Sequence, residues 1–199
     1  YMFASKSELG YDPSIVYEFN PDKARELVKK TSYKPGTPII LTYTSSVPNS
    51  QLVAATIQKY MKNVGVTMKL QKLEAGTAAT YTRSRDPRNG HTVLYTWGGG
   101  RDPSTRLLLT LPSTSMYCGW CDRPSQKLLD ELVMKQARET NPEKRLEILN
   151  RLHELLRNEP AGPILFGLNQ IYAHTDRIDY DWLPKEAFLF NVHRTTIVK

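Results

Sequence analysis

Two cysteines three positions apart are the residues whose spacing most directly suggests chemistry. Cys118 and Cys121 flank Gly119 and Trp120 in the stretch MYCGWCD, which has the spacing of a thiol–disulfide exchange site. They are the only two cysteines of the 199 residues, so one local pair is the most that can form. A redox-active pair also needs a lowered thiol pKa, usually from a helix that begins there directly after a strand. The predicted elements around this pair follow a different order, which leaves a thiol–disulfide oxidoreductase as the alternative interpretation.

The other residue types that carry catalysis or bind metals show no functional spacing. The four histidines lie far apart and form neither an HExxH motif nor a Cys/His zinc pattern. They are His91, His153, His174 and His193. No G-x-S-x-G stretch marks a nucleophilic serine, and local hydrogen bonding in loops and caps explains the many serines and threonines. We therefore expect no catalytic residue, no metal and no cofactor.

A glycine-rich stretch, TWGGGRDPSTRLLL, is the best candidate for a ligand site. It follows a predicted strand and precedes a predicted helix, and ligands in open α/β sheets bind at the carboxyl ends of the strands. A dinucleotide fingerprint would need a glycine where Pro103 stands, and the Gly-Lys-Ser/Thr of a phosphate-binding P-loop is absent. A nucleotide ligand is therefore not expected.

A turn before a helix explains only part of this stretch. Asp102 is predicted to be the N-cap of the helix and Pro103 its first residue. Glycines, which lack a side chain, let the backbone approach a ligand closely. The residues that a turn alone does not explain are Trp97, Gly98, Gly99, Gly100 and Arg101.

The elements that position this loop alternate between helix and strand. Asn20 and Pro21 open a short helix, Ser50 is predicted to cap a longer helix that ends at Gly65, and a weaker helix covers residues 75–83. Strands are predicted over residues 38–44, 66–70 and 92–97. Parallel neighbours need crossover connections, so this order predicts an α/β fold with a parallel or mixed sheet flanked by helices.

The second half is predicted to be more helical. Asp122 is predicted to cap a helix with a leucine-rich face, and Asn141 with Pro142 opens another. The apolar run over residues 163–168 has the pattern of a buried strand and is far too short to span a membrane. The leucine faces are therefore interpreted as core.

The net charge of +7 does not point to nucleic acid. The lysines and arginines are dispersed over polar helix faces and loops, without a recognition helix or an aromatic RNA-binding pattern. We interpret them as a solvated basic surface. The chain begins at Tyr1 with neither an initiator methionine nor a signal peptide, so we expect it to be a mature or excised part of a longer protein.

Five pieces of the sequence occur in a recognisable order. They are YEFNPDKARELVKK, AATIQKYMKNVGVTMKLQKLEAGT, YTWGGGRDP, GWCDRPSQKLLDEL and NPEKRLEILNRLHELLRNEPAGPILF. With these pieces the sequence, from about Tyr17 to its end, resembles the C-terminal lobe of the family-5 extracellular solute-binding proteins, the oligopeptide, dipeptide and nickel type that supply ABC importers. The resemblance implies one lobe of a periplasmic-binding-protein-like type II fold, in which two α/β lobes close around a ligand.

The resemblance also implies a domain layout and a function. Residues 1–16 would be a leading segment from the hinge side, residues 17–170 the C-terminal lobe, and residues 171–199 a tail that returns to the missing N-terminal lobe. The function would be binding of oligopeptides or similar small polar solutes for delivery to an ABC permease. The location would be the periplasm, or otherwise extracytoplasmic and membrane-associated. No reaction and no nucleic-acid partner are expected. Without the other lobe, the tail is expected to support self-association through Ile171, Tyr172, Trp182, Phe188 and Phe190.

The ligand-binding residues implied by the resemblance lie in two loops. They are Trp97, Gly98, Gly99, Gly100, Arg101, Asp102, Tyr117 and Trp120. Peptide-binding members typically carry an acid three places after this tryptophan, where it pairs with the ligand's amino terminus, whereas this chain has Gly100. Arg101 instead suits a carboxylate or another anion. We therefore expect ligands without a free amino terminus to be tolerated.

The cysteines fall on the family's loop of small and aromatic residues. Cys118 and Cys121 are then interpreted as either a structural disulfide or two free thiols. An oxidising periplasm would permit the bond.

Overall fold

In a computed structural model, the chain folds into two compact units. The sheet unit is Val16–Trp97, and the helical unit joins Tyr1–Ile15 to Gly98–Lys199. The structure describes residues 9–14, 18–84, 86–94, 96, 102–118, 121–160, 162–168, 173–180 and 195–198. Among these residues no helix is long and apolar enough to cross a membrane.

The sheet unit alternates helices and strands, as the sequence predicts. Its helices are α1 (Pro21–Lys29), α2 (Ser50–Asn63) and α3 (Ala75–Ser84), and its strands are β1 (Ile39–Thr44), β2 (Met68–Leu73) and β3 (Thr92–Leu94). The strands form a parallel sheet in the order β2-β1-β3. The prediction of an α/β unit with parallel strands is confirmed.

The central position of β1 explains its burial. Its last four residues are all buried, and Thr42 has no exposed surface at all. A strand covered on both faces buries consecutive side chains rather than alternate ones. The core of the sheet unit consists of Leu41, Tyr43, Ala54, Val66 and Met68.

The two helix caps predicted in the sheet unit had different outcomes. Asn20 caps α1 as predicted, because its Oδ1 accepts the N–H of Lys23 at 2.9 Å and Pro21 is the first helical residue. The prediction that Ser50 caps α2 is wrong. Ser50 is already helical, and the N-cap is Asn49, which adopts a left-handed conformation with φ of 54° and makes no side-chain capping bond. Asparagine tolerates this conformation better than most residues.

In the described part of the helical unit, three helices pack around one apolar core. They are α4 (Ser104–Thr110), α5 (Gln126–Arg138) and α6 (Pro142–Asn158). The buried core residues are Leu107, Leu111, Leu129, Leu132, Val133, Ile148, Leu149, Leu152 and Leu156. A short antiparallel pair, β4 (Ile178–Tyr180) and β5 (Thr195–Ile197), completes the described part of the unit. The leucine-rich faces therefore form core, as predicted.

The start of α6 is confirmed and that of α5 is not. Oδ1 of Asn141 accepts the N–H groups of Glu143 and Lys144 at 3.0 and 3.1 Å. Asp122 does not cap α5, which begins at Gln126 with Ser125 in the N-cap position. A turn intervenes, in which the N–H of Gln126 donates to the carbonyl of Arg123 at 3.1 Å.

The prediction of a buried strand over residues 163–168 is also wrong. The segment has no strand pairing, and Ile164, Leu165, Phe166 and Leu168 are between 42% and 52% exposed. A strand is buried only where neighbouring strands and a covering layer exist, and no described residue pairs with this segment. The tail residues predicted to self-associate lie outside the described residues.

Candidate ligand site

In the sequence, the glycine-rich stretch comes shortly after β3, a strand of the parallel sheet. β1 and β3 are paired in parallel and end at Thr44 and Leu94, so both strands finish at the same edge. Thr96, the first residue of the glycine-rich stretch, is exposed and follows Leu94 by two positions. Ligands of parallel α/β sheets bind at this kind of edge.

Most of the predicted ligand-binding residues lie outside the described residues. These are Trp97, Gly98, Gly99, Gly100, Arg101 and Trp120. Asp102 and Tyr117, the other two, are described and belong to the helical unit. The contacts of these two side chains are therefore the part of the predicted site that the structure describes.

Both carboxylate oxygens of Asp102 are engaged by other parts of the helical unit. Oδ1 accepts from the N–H of Ser104 at 2.8 Å and from Nη2 of Arg145 at 2.6 Å, and Oδ2 accepts from Nη1 of Arg145 at 2.6 Å. Such a bidentate pair fixes position and orientation together. The helix α4 begins one residue later than predicted, with Pro103 rather than Asp102 in the N-cap position. Asp102 still accepts from the first helical N–H.

A buried amide braces this ion pair. Gln136 on α5 has no exposed surface, and its Oε1 accepts from Oγ of Ser104 at 3.0 Å and from Nη2 of Arg145 at 3.2 Å. Nη2 of Arg145 also donates to Oγ of Ser104 at 2.7 Å. A buried acceptor left without a donor is costly, so these bonds hold the start of α4 to α5 and α6.

The network determines the charge state of Asp102. The bonds from the Arg145 guanidinium, aided by the N–H of Ser104 and opposed by partial burial, lower the pKa of Asp102 to about 2 from 3.8. The carboxylate is therefore ionised at neutral pH, and its charge is balanced by Arg145.

The loop that carries Tyr117 is fixed by an aspartate on α5. Oδ1 and Oδ2 of Asp130 accept from the N–H and the hydroxyl of Ser113 at 2.9 and 2.5 Å. Gln126 donates from Nε2 to the carbonyl of Leu111 at 2.9 Å and to Oδ1 of Asp130 at 2.7 Å. The N–H of Tyr117, whose side chain is half-buried, donates to Oγ of Ser115 at 3.0 Å. The loop is thus anchored on the side that faces α5.

The structure joins Cys118 to Cys121 by a disulfide, with 5.7 Å between their Cα atoms. Cys118 is 1% exposed, and α5 begins only at Gln126, so no helix starts at either cysteine. A reactive thiol usually lies in an accessible place near a helix N-terminus. This environment is that of a structural bond.

Within the described ranges, no group of three or more His, Cys, Asp and Glu side chains is placed to hold a metal.

Sequence reasoning did not identify the residues that hold the two loops. Arg145 lies 43 positions from Asp102, and Asp130 lies 17 positions from Ser113. Arg145 and Asp130 are polar residues on helices, and such residues are expected to be exposed to solvent. No local pattern signals such long-range partners.

A family model described as bacterial extracellular solute-binding proteins, family 5 Middle, matches residues 1–117. Di/tripeptide-binding protein 2 of Pseudomonas aeruginosa is 31% identical over 174 residues, which cover 79% of this chain and 31% of that protein. The periplasmic murein peptide-binding protein of Escherichia coli is 29% identical over 166 residues, covering 81% of this chain and 28% of that protein. The chain therefore spans about a third of the length of these curated relatives.

A solved structure with a related fold is an ABC transporter substrate binding protein from Listeria monocytogenes. Its TM-score is 0.65 and its sequence identity 21%, over 77% of this chain and 31% of that protein. This likeness confirms the predicted periplasmic-binding-protein-like type II fold.

Proposed function

Because the chain belongs to the family-5 bacterial extracellular solute-binding proteins, we propose that it forms part of the ligand-binding component of an ABC importer. The family match over residues 1–117 is the observation that carries this proposal. The chain would contribute one lobe, residues 17–170, with residues 1–16 on the hinge side and residues 171–199 returning toward the other lobe. Closure of two lobes around a ligand would present the closed form to a permease in the cytoplasmic membrane.

The proposed ligand is a peptide or a similar small polar solute. Two relatives are named for binding di- and tripeptides and murein peptide. The proposed contacts come from the loops that contain Trp97 to Arg101, and Tyr117 with Trp120. The first loop comes shortly after β3 in the sequence, and ligands of parallel α/β sheets bind at the carboxyl ends of the strands, which supports this assignment.

The chain is proposed to bind without catalysing a reaction. Its relatives are named as binding proteins, and the disulfide with its buried Cys118 favours a structural role for the cysteines over an oxidoreductase. The proposed location is periplasmic, like that of the murein peptide-binding relative, or otherwise extracytoplasmic. Self-association through residues 171–199 is the further proposal for the isolated chain, and sedimentation over a range of concentrations tests it.

Calorimetry on two forms of the protein tests the binding function. We expect the complete protein that carries this chain to bind a short peptide, and the 199-residue chain alone to bind it far more weakly, since affinity depends on enclosure by both lobes. Absence of peptide binding by the complete protein, together with disulfide-reductase activity of the chain, would favour the oxidoreductase instead.

The same measurement tests the ligand loop. We expect a peptide with a free amino terminus and its acetylated counterpart to bind with similar affinity, since Gly100 stands where peptide-binding members carry an acid. Arg101→Ala should weaken binding of both peptides by about tenfold, the effect of losing one charge-assisted hydrogen bond. A strong preference for the free amine would place an acidic anchor elsewhere in the protein.

A further inference from the structure

The net positive charge of the chain belongs entirely to the sheet unit. Residues 16–97 contain twelve Lys and Arg side chains against five Asp and Glu side chains, whereas the rest of the chain contains fifteen of each kind. The sheet unit therefore carries the whole excess of +7, and the helical unit is neutral. An excess of one sign on one folded unit creates a potential that attracts partners of the opposite charge.

The outward face of α2 carries large apolar side chains. Leu52, Thr56 and Tyr60 follow one another at four-residue spacing, which places them on one face of the helix. Leu52 is 69% exposed and Tyr60 is 53% exposed, and the hydroxyl of Thr56 donates to the carbonyl of Leu52 at 2.8 Å. The side of α2 that packs on the sheet is marked instead by Ala54, which has no exposed surface.

Phe19 extends this face to the start of α1. Its side chain is 77% exposed, and its ring meets that of Tyr60 edge to face, with 6.0 Å between the ring centroids. Close by in the sequence, Nε of Arg25 on α1 donates to the carbonyl of Asn63 at the end of α2 at 3.3 Å. The two helices are thus joined here, and we call Phe19, Leu52, Thr56 and Tyr60 the apolar patch.

Basic side chains outnumber acidic ones on the two helices that carry the apolar patch. Lys59 and Lys62 are exposed on α2, which has no acidic residue. On the side of α1, the acidic residues are Glu18, Asp22 and Glu26, and Asp22 is paired with Arg25. The exposed basic residues of the two helices and of the position after α1 are Lys23, Arg25, Lys29, Lys30, Lys59 and Lys62.

We propose that the apolar patch and the lysines around it form a docking surface for a lipid bilayer with anionic headgroups. Solvation explains exposed lysines, but it does not explain three large apolar side chains among them. Surfaces that bind at a membrane interface combine these two features: aromatic and leucine side chains enter the headgroup region, and lysines contact the phosphates.

The charge also argues against a second copy as the occupant of this surface. Two sheet units, each with a charge of +7, would repel one another if these faces met. The inference goes beyond the proposed function because it assigns a contact with lipid, and it does not depend on which solute the protein binds.

Cosedimentation of the 199-residue chain with lipid vesicles tests the proposal. We expect binding to vesicles of equal parts phosphatidylglycerol and phosphatidylcholine. Binding to phosphatidylcholine alone should be at least about tenfold weaker, since each lysine near an anionic surface contributes about fivefold. Added salt should weaken the binding, because it screens exposed charges. Equal binding to both vesicles, or no binding to the anionic ones at low salt, overturns the proposal.

Matched pairs of lysines separate this surface from the charge of the chain as a whole. Lys59→Gln with Lys62→Gln removes two charges from α2, and Lys127→Gln with Lys135→Gln removes two charges from exposed positions of α5 in the helical unit. We expect the first pair to weaken binding to anionic vesicles by about 25-fold and the second by less than about threefold. Equal losses would mean that net charge alone drives binding and would overturn the assignment to this surface.

The apolar patch has its own matched test. Leu52→Ser removes an exposed apolar side chain from the patch, and Met134→Ser removes one from α5. We expect Leu52→Ser to weaken binding to anionic vesicles by at least about fivefold, because its burial in the headgroup region is lost, and Met134→Ser to leave binding unchanged. Circular dichroism checks that both variants are folded. Full binding by a folded Leu52→Ser variant overturns the role of the patch.

Sedimentation velocity without lipid provides the last test. We expect the chain to show no association that Leu52→Ser abolishes. A dimer of the wild-type chain that is lost in Leu52→Ser would make a second copy the occupant of this surface and would overturn the proposal.

Discussion

Gly90 lies directly against Ile40: a Cβ atom on Gly90 would stand 2.7 Å from Cγ2 of Ile40 and 3.0 Å from Oγ1 of Thr42. The backbone of Gly90 has φ of 82° and ψ of −168°, a region that only glycine occupies readily. The next residue, His91, makes two hydrogen bonds with Ile40. The N–H of His91 donates to the carbonyl of Ile40 at 3.0 Å, and the N–H of Ile40 donates to Nδ1 of His91 at 2.9 Å. This close approach lets the turn before β3 join β1.

Gly90→Ala is expected to destabilise the sheet unit by two causes, backbone strain and a steric clash. Gly36→Ala is the matched control, because Gly36 has φ of 88° and nothing within 4 Å of a Cβ atom. We expect a loss of about 1 kcal/mol for the control from strain alone and at least about 2 kcal/mol for Gly90→Ala. Urea unfolding measures both, and equal losses would show that the contact with Ile40 is unimportant.

His153 is a buried histidine whose protonation should weaken the fold. It is 3% exposed, and within the described part of the chain its Nδ1 has no hydrogen-bond partner. Burial lowers its pKa to about 4 from 6.5. In the unfolded chain this histidine is protonated below about pH 6.5, whereas in the folded chain it is protonated only below about pH 4. The free energy of unfolding therefore falls as the pH drops from 6.5 to 4. The loss is on the order of 2 kcal/mol.

Unfolding by urea at pH 7.5 and pH 4.5 tests this prediction. His153→Leu, which cannot be protonated, should lose less stability between the two pH values than wild type. His174→Gln removes an exposed histidine and serves as the control, with the wild-type loss retained. The same pH dependence in His153→Leu and wild type would assign the effect to other groups.

Local capping signals were enough to predict two helix starts. Asn20 and Asn141 each precede a proline, and each side chain binds N–H groups within three residues of itself. Interactions over such short separations are readable from sequence. The class of the sheet unit was predictable for the same reason, because alternating periodicity is a local property.

Contacts between distant residues were not predictable. Asp122 carries a good capping side chain, yet α5 begins at Gln126, where the hydroxyl of Ser125 donates to Oε2 of Glu159 at 2.7 Å. Arg123 donates to the carbonyl of Glu159 at 2.8 Å. These partners lie 34 and 36 positions away, so a tertiary contact determined the helix start. The pairing of Asp102 with Arg145, 43 positions apart, could not be predicted from sequence for the same reason.

The core of the helical unit should be sensitive to Leu152. This side chain has no exposed surface and belongs to the cluster formed by α4, α5 and α6, whereas Leu146 on the same helix is 38% exposed. Leu152→Ala is expected to cost about 2–5 kcal/mol from lost burial and a residual cavity, and Leu146→Ala less than about 1.5 kcal/mol. Thermal unfolding of both variants measures the difference. Similar losses would argue that α6 does not pack as described.

The disulfide is directly measurable. Intact mass under non-reducing conditions should be lower than the reduced mass by two hydrogen atoms, since Cys118 and Cys121 are joined. Alkylation of the unfolded, unreduced chain should add no label. Two labels would show free thiols and would return the pair to the second interpretation that the sequence left open.

Asp130→Asn should loosen the loop that carries Tyr117. The Asp130 carboxylate accepts from the hydroxyl and N–H of Ser113 and from Nε2 of Gln126, and these bonds outweigh burial in lowering its pKa. The asparagine amide is itself a donor, so one of its two terminal atoms must face another donor. We expect Asp130→Asn to lower the free energy of unfolding by about 1–3 kcal/mol, against about 0.5 kcal/mol or less for Glu131→Gln at the exposed neighbouring position.

Hydrogen exchange adds the local measurement: amide protection at Ser113 and Tyr117 should fall more in Asp130→Asn than protection within α6. An equal fall throughout the helical unit would mean that Asp130 supports the fold as a whole rather than this loop.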